Sequence, residues 1–162
     1  MSAATVIARR VTADDLEVLR SHERLPRERL ADTSFAEQEA GHIIYAVAFD
    51  GDEPLGTTVL DLREGDLQPQ MRNMWVYPTA RRRGAGRALS RFLEDEALAA
   101  GYTEVFLAVD PNNEKAIPLY VSLDYSPTGD HLMIDAPEEF QVADPSLVSD
   151  HWAIYRKSLL AR

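Results

Sequence analysis

The residues best suited to chemistry form one run, Ala80-Arg81-Arg82-Arg83-Gly84-Ala85-Gly86-Arg87. Three arginines lead into Gly-Ala-Gly, and a helical period begins at once. Ala85, Ala88, Leu89, Phe92, Leu93 and Ala97 share one stripe, while Arg87, Arg91, Glu94 and Asp95 fall off it. A helix N-terminus leaves backbone N–H groups unpaired and carries a partial positive charge. Glycines there let a ligand approach the backbone, and arginines add charge-assisted hydrogen bonds. Together they make an anion site suited to phosphate or pyrophosphate. The plainer alternative is a solvated basic turn with a glycine cap.

Two other phosphate-binding patterns are excluded. A P-loop needs Gly-x-x-x-x-Gly-Lys-Ser/Thr, whereas Gly51-Asp-Glu-Pro-Leu-Gly56 is followed by Thr57 and lies in a hairpin. A dinucleotide fingerprint needs a third glycine where this chain has Leu89, and a tight turn directly after the strand. Cysteine is absent, so there is no cysteine nucleophile and no thiolate metal site. None of the four histidines is paired at a metal-like spacing, and no metal is expected.

The elements that must position the basic run can be read on either side of it. Val6–Arg10 suits a first strand, and Thr12 with the acids behind it suits a helix start. A second helical segment, Pro26–Ala40, ends at Gly41. His42–Leu62 is a hairpin around a turn holding Asp50-Gly51 and Pro54. Gln70–Tyr77 is a further strand stopped by Pro78, and Gly101 ends the helix that follows. Thr103–Asp110 is apolar on both faces, as in a central strand. Asn113–Leu123 is a short helix, in which Pro118 is tolerable only near the first turn. Tyr125–Asp135 and His151–Leu159 are two last strands, with Ala136–Asp150 as a loop between them. The order β α α β β β α β α β β describes an α/β (α+β) domain, a mixed and mostly antiparallel twisted sheet flanked by helices. Residues 1–162 read as a single domain.

Lys and Arg total 17 against 27 Asp and Glu, a net charge of −10. Such a field disfavours nucleic acid and anionic membranes and favours a cationic or amine-bearing partner. The N-terminus lacks a leader's apolar core and no apolar run is long enough to span a bilayer, so a cytoplasmic protein is expected.

The run Val76-Tyr-Pro-Thr-Ala-Arg-Arg-Arg-Gly-Ala-Gly-Arg-Ala-Leu89 resembles motif A of the GNAT superfamily of N-acetyltransferases, Gln/Arg-x-x-Gly-x-Gly/Ala, here Arg81, Gly84 and Gly86. Asn112 to Tyr125 is similar to the family's motif B, Asn-x-x-Ala-x-x-x-Tyr, here Asn113, Ala116 and Tyr120, closing with Leu123-Asp124-Tyr125 in place of a Leu-Gly-Phe pattern. Asp124 can adopt the left-handed conformation of the usual glycine, less readily than glycine does. The element order matches the family over nearly the whole chain.

The resemblance implies the GNAT acyl-CoA N-acyltransferase fold, with acetyl-coenzyme A as cosubstrate. The amides of Arg82, Arg83, Gly84, Ala85, Gly86 and Arg87, with Arg81 before them, would bind its pyrophosphate. Met74, Trp75 and Val76 would be backbone partners of the pantetheine arm, which Asn113 would also touch. Tyr120 would be the general acid that protonates the departing thiolate, as a phenol suits. Its plainer alternative is a core aromatic. The family's glutamate base on the motif A strand has no counterpart here. Asp61, Glu64, Glu39 and His131 are the candidates, each more readily a surface or structural group, and His22, His42 and His151 are weaker.

Three functions are compatible with these features to different degrees. The first is an N-acetyltransferase joining acetyl-coenzyme A and a small-molecule or peptide amine in a ternary complex. The second is a non-catalytic acyl-coenzyme A binding or sensing domain. The third, a nucleic-acid module built on Arg81–Arg83, is opposed by the net charge and the lack of a wider basic face. The acceptor would be shaped by Thr12–Ala40 and Asp130–Asp150, which carry no interpretable motif. A homodimer through the last strands is allowed by the resemblance alone.

Overall fold

The computed structural model describes residues 5–23, 26–110, 113, 116–133 and 151–160. Seven strands, β1 (Val6–Arg10), β2 (Ile43–Asp50), β3 (Glu53–Asp61), β4 (Gln70–Val76), β5 (Glu104–Val109), β6 (Ser126–Met133) and β7 (His151–Ser158), alternate with four helices. The helices are α1 (Leu16–Arg20), α2 (Leu30–Glu39), α3 (Ala85–Ala99) and α4 (Ala116–Ser122). The strands form one sheet in the order β1-β2-β3-β4-β5-β7-β6. Every pairing is antiparallel except β4 with β5. The element order is the one the sequence implies; the loop expected over Ala136–Asp150 lies outside the described residues.

Strand alternation divides the interior into two layers. Ile44, Ala46 and Ala48 of β2 point to the α3–α4 side, where Leu60, Leu89, Leu93, Val105 and Leu107 complete the larger core. Ile43, Tyr45 and Val47 point the other way, against Leu19, Ala31 and Phe35 of α1 and α2. The sheet is therefore covered on both faces, as the unbroken apolar run of β2 requires.

Local signals set the ends of the elements. Thr12 precedes a 3-10 turn, and the Asp15 carboxylate accepts hydrogen bonds from its N–H at 2.7 Å and its Oγ1 at 3.1 Å. Gly41 and Gly101 close α2 and α3 with φ of 83° and 97°. Pro118 sits in the first turn of α4, where its missing N–H costs no helical bond.

Two expectations need correcting. Pro54 is not in the hairpin turn: it pairs with Phe49 inside β3, beside a register shift that makes room for a residue without an N–H. Glu94 does not lie on the solvent side of α3. It is fully buried, because Lys157 of β7 reaches Glu94 Oε1 at 2.9 Å and the Tyr125 hydroxyl donates to Glu94 Oε2 at 3.0 Å. A buried carboxylate needs such partners. The buried stripe of α3 accordingly runs through Gly86, Ser90 and Glu94 as well as Leu89 and Leu93.

Candidate active site

The chain leaves β4 through a 3-10 turn at Pro78–Ala80, and the Tyr77 N–H is held by the Leu55 carbonyl at 2.9 Å. Arg81 is extended, and Arg82 (φ 64°) and Gly84 (φ 86°) are both left-handed. These two residues coil the loop tightly onto the start of α3. Gly84 is the N-cap and offers no side-chain cap. The N–H of Ala88 bonds the Gly84 carbonyl at 3.0 Å. The amides of Ala85, Gly86 and Arg87 therefore stand ahead of the helical ladder. Their positive end of the helix dipole is the physical basis of an anion cradle.

The three arginines have different surroundings. The Arg83 guanidinium bonds Asp50 at 2.7 Å and Glu53 at 3.0 Å, tying the loop to the β2–β3 turn. Arg81 lies 6.0 Å from the centre of the Trp75 ring. Arg82 is exposed, as is Arg87, whose Nη2 comes within 3.5 Å of Ser122 Oγ on α4. The two glycines differ as well. Gly84 is needed for its positive φ, whereas a Cβ on Gly86 would meet Leu119 Cδ2 at 3.0 Å. Gly86 thus lets α4 pack closely against α3.

Between the cradle and α4 the sheet opens. β4 and β5 pair only at Gln70–Phe106 and Met71–Leu107. Beyond those pairs the strands part around a cleft of ≈ 100 Å³. Arg72, Asn73 and Met74 form one wall, Ala108, Val109 and Asp110 the other, with Asn113, Ala116, Tyr120 and Trp152 around them. A β-bulge marks the opening. Thr57 pairs with Trp75 and Val59 with Arg72, so Asn73 and Met74 together oppose Thr58. Asn73 has φ of 54°. The buried Thr58 Oγ1 donates to the Arg72 carbonyl at 2.9 Å. A Cβ on Gly56 would stand 2.5 Å from the Trp75 carbonyl oxygen, so only glycine fits opposite this stretch of β4.

Of the three β4 residues assigned to the pantetheine arm, Met74 borders the cleft. Trp75 and Val76 pair with Thr57 and Gly56 and carry the strand on toward the basic loop. Asn113 borders the cleft and also shapes the backbone around it. Its Oδ1 accepts from the Ala116 N–H at 3.2 Å, and its own N–H donates to the Asp110 carbonyl at 2.9 Å. It thereby fixes the start of α4 after β5.

Tyr120 faces the same cleft from α4 and is 8% exposed. Its ring meets that of Tyr125 edge-on at 6.1 Å. Burial alone pushes its pKa up to about 12, so the phenol is fully protonated at neutral pH. Asp124 is left-handed with φ of 74°, and its N–H bonds the Val121 carbonyl while the Tyr125 N–H bonds the Tyr120 carbonyl, both at 3.0 Å. Aspartate thus completes the helix-ending turn expected at that position.

Glu39, Asp61, Glu64 and His131 do not border the cleft, and the side chain of His151 lies outside the described residues. Glu39, Glu64 and His131 are exposed. Burial alone would raise the Asp61 pKa, but bonds from Arg63 and Arg72 outweigh it and hold the carboxyl below the usual range. Arg63 donates to Asp61 Oδ1 and Oδ2, and Arg72 Nη1 donates to Oδ2 at 2.8 Å. Asp61 is a structural anion. His22 stacks on Tyr77 with ring centres 4.6 Å apart. The two charged residues on the described walls, Arg72 and Asp110, were not singled out from the sequence as site residues. Their only sequence signal is position, one on the strand before motif A and one at the end of the strand after it.

A larger hollow of ≈ 300 Å³ lies between β1, α1 and the β2–β3 turn, bordered by Ile7, Val18 and Phe49. The bidentate Arg9–Asp15 pair forms part of its wall, and no residue of either motif borders it. It lacks the parted strands and the phenol that meet at the β4–β5 cleft. Among the described residues no helix is long and apolar enough to cross a membrane, and no cluster of His, Asp or Glu could hold a metal.

Comparison with known proteins bears on this arrangement. No curated protein matches the chain in sequence. Among solved structures, the fold is similar to that of an aminoglycoside 6'-N-acetyltransferase complexed with coenzyme A (TM-score 0.71, 17% identity, 96% of this chain and 98% of that one). It is also similar to the ribosomal-protein-S18-alanine N-acetyltransferase of Escherichia coli (0.70, 19%, 96% and 94%) and the spermidine/spermine N-acetyltransferase of Vibrio cholerae (0.69, 15%, 97% and 94%). The profile described as the Acetyltransferase (GNAT) family matches residues 9–125, from β1 to the end of motif B. The chain belongs to the GNAT acetyltransferase family.

Proposed function

We propose that this protein is an N-acetyltransferase that carries an acetyl group from acetyl-coenzyme A to the amine of an acceptor bound beside it, with Tyr120 as general acid. The observation that carries the proposal is the parting of β4 and β5 after Met71 and Leu107, around a cleft that Tyr120 borders and on the strand that leads to the open amides of α3. A parallel pair that stops after two residues leaves backbone groups on both strands for another partner. Gly84 and the first-turn amides of Ala85, Gly86 and Arg87 suit the pyrophosphate. Asn73 and Met74, displaced from the β3 ladder by the bulge, suit the acyl end.

Bound acetyl-coenzyme A supplies a thioester: the amine nitrogen bonds to its carbonyl carbon, the C–S bond breaks, and the sulfur leaves as thiolate. The protein holds the reactants together, which supplies much of the rate. A main-chain amide of the bulge would face the oxygen on which negative charge develops. Tyr120 would pass its proton to the sulfur, and its raised pKa ensures that the proton is there to give. The amine must arrive neutral, and its proton leaves to solvent or to a carboxylate at the cleft. Residues 1–162 would act as one such domain.

Calorimetric titration with acetyl-coenzyme A, followed by free-thiol release in the presence of amines, tests the proposal. Binding with release is expected. Binding without release from any amine would favour a sensing domain, and absence of binding would end both readings.

A further inference from the structure

The chemistry proposed above makes no use of the one cation on the described walls of the cleft. Arg72 lies on β4 directly after the last residue that pairs with β5. Its register partner on β3 is Val59, which packs in the α1–α2 layer, whereas Met71 and Met74 pack in the α3–α4 layer. Arg72 therefore stands on the face of the sheet opposite α3. Tyr120 and the helix amides belong to the α3 side. With the donor held from that side, the face carrying Arg72 is the one from which an acceptor must come.

The guanidinium is held but not used up. Asp61 Oδ2 takes one N–H, at 2.8 Å, and Asp61 is shared with Arg63, which donates to both of its oxygens. The Arg72 side chain remains 34% exposed. A fork of donors fixed in direction by one carboxylate and open on its other edge is shaped for a second carboxylate, which it can grip bidentately. The same charge opposes a polycation in a cleft where water screens poorly.

Building on the transferase reading, we propose that Arg72 binds a carboxylate of the acceptor, so that the acceptor is an amino-carboxylate of the free amino acid class. Arg72 sets specificity: it grips the carboxylate and so brings the neighbouring amine to the point where β4 and β5 part. A polyamine or an aminoglycoside, cationic throughout, lacks the group that Arg72 holds.

The experiment is a thiol-release assay with acetyl-coenzyme A and each protein amino acid beside its α-carboxamide, with spermidine as the polycation. At least one amino acid should exceed its own amide by roughly 10²-fold in kcat/KM, since the amide loses the charge-assisted, bidentate grip of the guanidinium. Arg72→Gln should level that pair, mainly through KM, with acetyl-coenzyme A affinity unchanged and Tm lowered by the loss of one of the two arginines on Asp61. Arg72→Lys should recover part of the preference, and it serves as the test if the glutamine variant does not fold. Amides or spermidine turning over as well as the amino acids would overturn the inference, as would a preference that survives Arg72→Gln. Bound acetyl-coenzyme A with no release from any amino acid would also overturn it, while leaving transfer to other amines standing. A protein that does not bind acetyl-coenzyme A would fail earlier, at the transferase itself.

Discussion

The hairpin β2–β3 and the parallel pair β4–β5 are neighbours in one sheet and end very differently. β2 and β3 match along the whole of β2, from Ile43–Asp61 to Asp50–Glu53. β4 and β5 match at two positions and then separate. The hairpin closes through Gly51 and Asp52, so its register is set locally. β4 and β5 are joined through α3, and their register is set by how that helix packs, with Gly86 against Leu119 and Leu89 and Leu93 in the core. One pair satisfies its backbone internally and acts as scaffold. The other leaves backbone unmatched beside Asn113 and Tyr120 of motif B. Rigidity and incompleteness thus sit on neighbouring strands, and β3 joins them: Thr58, opposite the bulge, and Gly56, against the Trp75 backbone just beyond it, lie in the strand that the hairpin fixes.

Substitutions can break this contrast from either side. The largest effect is expected at the cradle. Gly84→Asp should abolish measurable acetyl-coenzyme A binding, because it places a negative charge at the open amides and a side chain at φ of 86°. Calorimetry reads the loss, and a circular dichroism melt should still show a folded protein. On the scaffold side, Leu60→Ala removes a side chain with no exposed surface. It should lower unfolding free energy by about 2–5 kcal/mol in a denaturant titration, with acetyl-coenzyme A affinity kept in the folded fraction. Tyr120→Phe should reduce kcat by roughly 10²-fold while leaving acetyl-coenzyme A affinity as it was. If that affinity fell in parallel, Tyr120 would be a packing residue and the contrast would blur.

The smallest effect is electrostatic and lies far from the cleft. The Arg9 hydrogen bonds chiefly hold the Asp15 carboxyl below its usual range. A depressed folded-state pKa adds stability above the unfolded value of about 4, and that stability fades as pH falls through the folded value. Wild type and Asp15→Asn should therefore differ in Tm at about pH 7 and converge as pH falls below the folded value. Catalytic turnover at about pH 7 should be the same in both, since Asp15 is remote from the parted strands.

Features encoded by neighbours in the chain were readable in advance. The helix start at Gly84, the turn at Asp124, the place of Pro118 and the element order all follow from local propensity or period. Features made by distant residues were not. Nothing near Glu94 announces Lys157, so a glutamate off the apolar stripe reads as solvated until β7 is laid beside α3. Arg83 reads as part of a uniform basic run, yet Asp50 and Glu53 on another hairpin claim its side chain. The bulge at Asn73 depends on what β3 offers opposite it, and Gly56 inside a strand was its one sequence trace. Arg72 carries no signal for the same reason: its importance comes from where β5 ends its pairing, which a linear reading of β4 does not contain.

The position of β7 in the sheet has a consequence for how the chain is made. Among the described strands β7 follows β5 and β6 in sequence but lies between them in the sheet. A ribosome delivering the chain from its N-terminus releases β1 to β4 in an order that lets each pair with the one before. β5 and β6, by contrast, emerge with facing edges that only β7 can fill. Until then the nascent chain exposes two unsatisfied strand edges, the kind of surface that recruits chaperones or pairs with the wrong partner. β7 therefore acts as a keystone in biosynthesis. Lys157, which it carries to the buried Glu94, arrives well after α3 and neutralises a carboxylate that would otherwise keep the back of α3 wet.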